Sequence, residues 1–169
     1  AFWTIELYET GLTQECLELL ESIWVYHIGF GSFFLLQLIL HIYEEGDVSE
    51  EDLVAIACAF ARRKLCDSTA FHLLLRGCSI LKPFPHSKEY LTAQEAILDC
   101  LARGKLQEAW QLSSHLTESE LWVLLEPLAS EKKEAFQIVK DLRPCRRESL
   151  ALAFILVSLD PITWINSQS

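Results

Sequence analysis

The chain contains no methionine, only six glycines and five prolines, and a clear deficit of positive charge. The missing methionine, with no initiator in sight, leads to the expectation that this is an excised piece of a longer protein. It opens AFWTIELYET, without a basic n-region or a small-residue cleavage site, so no secretory signal is expected. No stretch alternates apolar and polar residues long enough for a confident strand, which excludes a sheet-based fold. Lys and Arg total 14 against 24 Asp and Glu, a formal net charge of −10. That balance argues against wrapping a phosphate backbone, because non-specific nucleic-acid affinity comes mainly from cations releasing counterions. There is no Cys-x-x-Cys among the six cysteines and no zinc spacing. They read as small buried hydrophobes in a reducing compartment, so the expected setting is intracellular, nuclear or cytoplasmic. No glycine-rich phosphate loop occurs either, since Gly29-x-Gly31 and Gly77-Cys78 lack the lysine and the spacing.

What the chain has in quantity is apolar helix-forming sequence. Hydrophobic residues make up 51% and charged ones 22% of 169 residues, enough to bury a core without metals or disulfides. The densest run is Ile23 to Tyr43, IWVYHIGFGSFFLLQLILHIY. From Phe33 to Tyr43 it is apolar nearly all the way round a helix, which predicts a buried central helix over 32–45 with other helices on several sides. A membrane span is not expected. Gly29 and Gly31 split the run, two histidines and a glutamine would sit in hydrocarbon, and both flanks are acidic.

The remaining elements follow from periodicity and punctuation. Leu12, Cys16, Leu19, Leu20, Ile23 and Trp24 form one apolar face of a helix over 12–28, stopped by the two glycines. A short helical turn over Trp3 to Tyr8 precedes it. Ser49 and Asp52 resemble a capping box opening a helix from Glu50 to about Lys64. A further helix runs from Thr69, capped by Asp67 or Ser68, to about Leu81. Lys82-Pro83-Phe84-Pro85-His86 then forbids helix and marks a joint. Beyond it come a helix from Ser87 or Thr92 to Arg103, a partner over Lys105 to His115, and a helix opened by Thr117-Glu118-Ser119-Glu120 through Leu125. Helices over Ser130–Leu142 and Arg146–Leu159 complete the set, with Trp164 folding back on the core. The expected fold is all-α, with eight to ten helices. It comprises an N-terminal half, 1–82, built on the central helix, and a C-terminal helical-hairpin half, 87–169, in one continuous domain.

The run Leu98, Cys100, Leu101, Gly104, Leu106, Glu108, Ala109, Trp110 and Leu112 has the order of a helical hairpin: a small residue, a glycine turn, a leucine, a Glu-Ala pair and a large apolar residue. Residues 90–125 thereby resemble the hairpins of α-solenoid scaffolds, of the tetratricopeptide-like and nucleoporin type. The continuation EAWQLSSHLTESELWVLL is similar to the helical region of the ELYS nuclear-pore assembly family. The resemblance implies a scaffold built from packed helix pairs. No strict repeat recurs along the chain, and the central run is too apolar for an open solenoid, so an enclosed variant is expected.

The sequence offers residues for three kinds of chemistry. His41 and Glu44, at i and i+3, are the one candidate metal pair, for a helical metal-dependent enzyme. No second such pair lies on an apolar helix. Cys66 beside Asp67, and Cys78 near His72, have no nucleophile signature around them. Arg62, Arg63, Lys64, Arg76 and Lys82, with Arg143, Arg146 and Arg147, are basic clusters at helix ends that a nucleic-acid module could use, although cations at helix C-termini are also explained by the helix dipole. The reading preferred is a non-catalytic scaffold or adaptor domain that holds a protein partner, or a second copy of itself, in a larger assembly, with no cofactor. Five tryptophans and nine phenylalanines exceed what a small core hides. The expected interface lies at Trp110, Trp122 and Leu125, bounded by Pro127.

Overall fold

The computed structural model describes residues 2–46, 48–63, 69–77, 92–142 and 146–160. The expectations placed on the 82–86 joint, on Trp164, on Cys66, Cys78 and Cys145, on the caps at Asp67 or Ser68, and on Lys64, Lys82 and Arg143 lie outside those residues. Ten α-helices and no strand are found among the described residues. None of these helices is long and apolar enough to cross a membrane. The chain divides into two compact units, one within 1–68 and one within 69–160. The division falls earlier than the expected 82–87 joint, because the fifth helix packs on helices of the second unit.

The first unit holds α1 (Phe2–Glu9), α2 (Thr13–Ile23), α3 (Phe33–Glu45) and α4 (Glu50–Arg62). Its core joins Cys16, Leu17 and Leu20 of α2, Ile39 and Ile42 of α3, and Leu53 and Ile56 of α4. The Ser49 hydroxyl caps α4 by accepting from the Asp52 amide at 3.1 Å. Gly46 ends α3 in the left-handed region, φ 71°, where a side chain would be strained. Helix α3 is central but not enclosed all round. Phe34, Gln37, His41 and Glu45 form a solvent stripe at helical spacing, which corrects the expectation of a fully buried helix.

A second departure follows α2. Regular α-helix stops at Ile23, and Trp24–Ile28 form a single π-helical turn before the Gly29–Gly31 turn. The indole N–H of Trp24, fully buried, donates to the Ser32 carbonyl at 2.8 Å, and its ring meets Phe30 and Phe33 edge-on. Gly29 closes the turn at φ 51°. The wider turn swings the Trp24 ring toward the start of α3, a contact that periodicity cannot foresee.

The second unit contains α5 (Thr69–Gly77), α6 (Ala93–Ala102), α7 (Leu106–Leu112), α8 (Glu118–Leu125), α9 (Lys133–Asp141) and α10 (Arg146–Ser158). Helices α6 and α8 each start with a full capping box, Thr92 with Glu95 and Thr117 with Glu120. Helices α6 and α7 form the expected hairpin, turned by Gly104 at φ 71°. The centre is α10, packed on α5, α7, α8 and α9. Its Ala151, Leu152, Ala153, Phe154 and Leu156 are all buried. Between α8 and α9 the chain makes a tight helical segment, Glu126–Lys132, kinked where Ser130 takes φ 50°.

Candidate protein interface

Helix α8 illustrates how one apolar sequence is shared between core and surface. Its eight residues, ESELWVLL, hold only three polar ones, all in the first turn. Leu121, Trp122 and Leu125 point inward, and Val123 is 71% exposed. Trp122 and Val123 are neighbours in sequence and about 100° apart round the helix.

The structure therefore corrects the expected site. Trp110 lies in the core with its ring edge-on to Phe154, centroids 5.3 Å apart. Trp122, 8% exposed, meets Phe136 of α9 edge-on at 5.5 Å, and its indole N–H reaches the Glu118 carboxylate at 3.3 Å. Leu125 is fully buried. The physical reason is Pro127: it does not release the chain into solvent but begins a tight segment that folds back on α8, while α9 and α10 cover the same side.

What is left open lies on the opposite flank of α8. Leu98 of α6, with Val123, Leu124 and Leu128, lines a shallow groove of about 510 Å³. Gln94, Ser119 and Glu120 edge it with polar groups. Leu98, Val123 and Leu128 are all exposed. Apolar excess in α8 was the usable signal. It pointed to α8, where the exposed apolar residue is Val123 and Trp122 is buried.

Of the basic helix ends, Arg147 has a structural use within the fold. Arg147 donates to the Leu75 carbonyl at 2.8 Å, satisfying the last turn of α5. Arg103 pairs with Asp99 at 3.0 Å and Lys105 with Glu108 at 3.3 Å. Arg62 and Arg63 end α4 in the first unit. His41 is exposed and pairs with Glu45, Nε2 to Oε1 3.1 Å. No group of three or more potential ligands lies together among the described residues.

Four groups among the described residues have shifted titration. Burial pushes the thiols of Cys16 and Cys100 up, in keeping with small core hydrophobes. The Glu120 carboxyl is held below its ordinary value by the backbone and hydroxyl of Thr117, which it caps. Lys132 is the unusual case. It is 7% exposed, and burial lowers the pKa of its ammonium, with Glu131 and Asp160 opposing the shift. Its Nζ donates to the carbonyls of Leu156 at 3.0 Å and Leu159 at 2.5 Å. A charge from a distant segment thus caps the C-terminus of α10.

Comparison with protein-family models, with curated proteins and with solved structures finds no match.

Proposed function

We propose that the chain is a non-catalytic scaffold or adaptor module that engages a protein partner through the α6–α8 flank. The observation carrying this reading is the apolar groove of Leu98, Val123, Leu124 and Leu128, exposed beside a core that already has its aromatic residues. Three large hydrophobics turned outward on one flank, with polar residues at the edge, have the composition of an interface centre and rim. The hairpin resemblance of residues 90–125 supports the same reading, because scaffolds of that kind bind along helix-pair surfaces. The partner expected is a protein presenting apolar side chains, within a larger assembly.

Val123→Glu is the direct test, since a charge at that exposed position leaves the core untouched. Cross-linked assemblies from cells expressing the whole protein should lose a defined subset of partners in the variant, at equal helicity and melting temperature. An identical set of partners in variant and wild type would reject the assignment.

A further inference from the structure

The first unit contains a second apolar concavity, lying among α1, α2 and α4. It measures about 530 Å³, within the range of roughly 300–1,000 Å³ typical of small-molecule sites. Leu20, Ile28 and Ala57 are buried in its wall, and Trp3 and Leu19, 75% and 52% exposed, stand at the rim. Thr4 adds a hydroxyl from α1.

The charge of the lining runs against that of the chain. Helices α1, α2 and α4, with sequences FWTIELYE, TQECLELLESI and EEDLVAIACAFAR, carry eight carboxylates between them. None of these is among the described residues that line the concavity, whereas His27 and Arg63 are. An apolar concavity with the Arg63 guanidinium and the His27 imidazole at its edge, in a protein of net charge −10, complements a molecule that is apolar along its length and anionic at one end. Arg63 makes contacts of its own, but a guanidinium has five N–H donors and can serve a carboxylate as well.

Chemistry separates the candidate occupants. A concavity of small-molecule size with an apolar wall and Arg63 at its edge matches a slender hydrocarbon chain with one anionic end.

We propose that this groove binds a long-chain carboxylate, its hydrocarbon against Leu20, Ala57 and Phe60 and its head at Arg63 and His27. The site is separate from the α6–α8 flank and does not depend on that reading.

The test uses the full chain and sodium oleate below its micellar concentration, with oleyl alcohol as the neutral counterpart. Of the tryptophans in the described residues only Trp3 is exposed, so its emission should move to the blue as the groove fills, and Trp3→Phe should remove the signal. Calorimetry should show saturable one-to-one binding of oleate. Ala61→Trp, at an exposed lining position of α4, should block the trough and weaken oleate about tenfold or more without altering helicity. Arg63→Gln should weaken oleate about tenfold, the worth of one charge-assisted hydrogen bond, and leave the alcohol unchanged. Absence of saturable oleate binding, or equal binding by Ala61→Trp, overturns the proposal. Equal affinity for oleate and the alcohol overturns the role of the basic rim. Binding of an acidic amphipathic helical peptide in place of oleate, or an oleate-insensitive dimer in sedimentation, would give the groove to a protein helix or to a second copy and likewise overturn it.

Discussion

Replacing Lys132 by Met removes a charge and keeps the aliphatic stem. In the native structure the ammonium bonds two carbonyls at the end of α10, Leu156 and Leu159, that the helix itself leaves short of donors. Hydrogen bonds to a charged group contribute about 1.5–3 kcal/mol each, offset by the cost of taking the ammonium out of water. A net loss of about 2 kcal/mol is expected at neutral pH, or roughly 10 °C in Tm for a small unit. Urea unfolding of the full chain, followed by circular dichroism, measures it, and hydrogen exchange at the end of α10 localises it. The pH dependence is the sharper check. Burial lowers the pKa of Lys132 in the folded state from its ordinary 10.5. As pH rises from the lowered value toward 10.5, the unfolded chain holds more protons than the folded one, and wild-type stability increases. The Met variant lacks this gain, so the gap between the two should widen with rising pH. A variant as stable as wild type, or a gap that closes on the alkaline side, would refute the account of Lys132 as a buried cap.

Trp122→Ala should destabilise the second unit by about 3–5 kcal/mol, as expected for a buried aromatic, while Val123→Ala stays within about 0.5 kcal/mol; chemical denaturation of both variants tests which face of α8 is the core. Ser130→Gly should raise stability by about 1 kcal/mol, because φ 50° strains any residue with a side chain; an unchanged or lower Tm would show that the Ser130 side chain stabilises the kink. The Glu120 cap has a folded pKa below its ordinary 4.5, so its contribution is complete above that value and is lost as pH falls through the lowered one. An acid titration of Glu120→Gln against wild type should show the difference vanish at low pH.

Much of the architecture was legible in local chemistry. The caps at Ser49, Thr92 and Thr117, and the stops at Gly46 and Gly104, act within four residues of themselves, and periodicity located the helices between them. What escaped was set by contacts distant in sequence. The π-helical turn at Trp24–Ile28 accompanies the bond from Trp24 to Ser32. The side of α8 that is buried depends on Phe136 and α10, which no count of apolar residues in ESELWVLL can supply. The sequence made α3 the centre of the chain, yet α10 is the more completely buried helix. Its alanines at 151 and 153 contribute little to a hydrophobicity reading but let neighbours approach closely. The capping role of Arg147 was invisible for the same reason: Leu75 lies far back along the chain.

The position of α10 has a consequence for synthesis. Among the helices of the second unit it is the last in chain order, and it is also the one that α5, α7, α8 and α9 pack against. As the polypeptide emerges from a ribosome, Trp110 comes out well before Phe154, the ring it rests on. Helices α5 to α9 must therefore wait with their inner faces wet, a state prone to aggregation and to capture by chaperones. Released chains truncated before Arg146 should bind a hydrophobic dye and resist compaction, and those that include Leu159 should not.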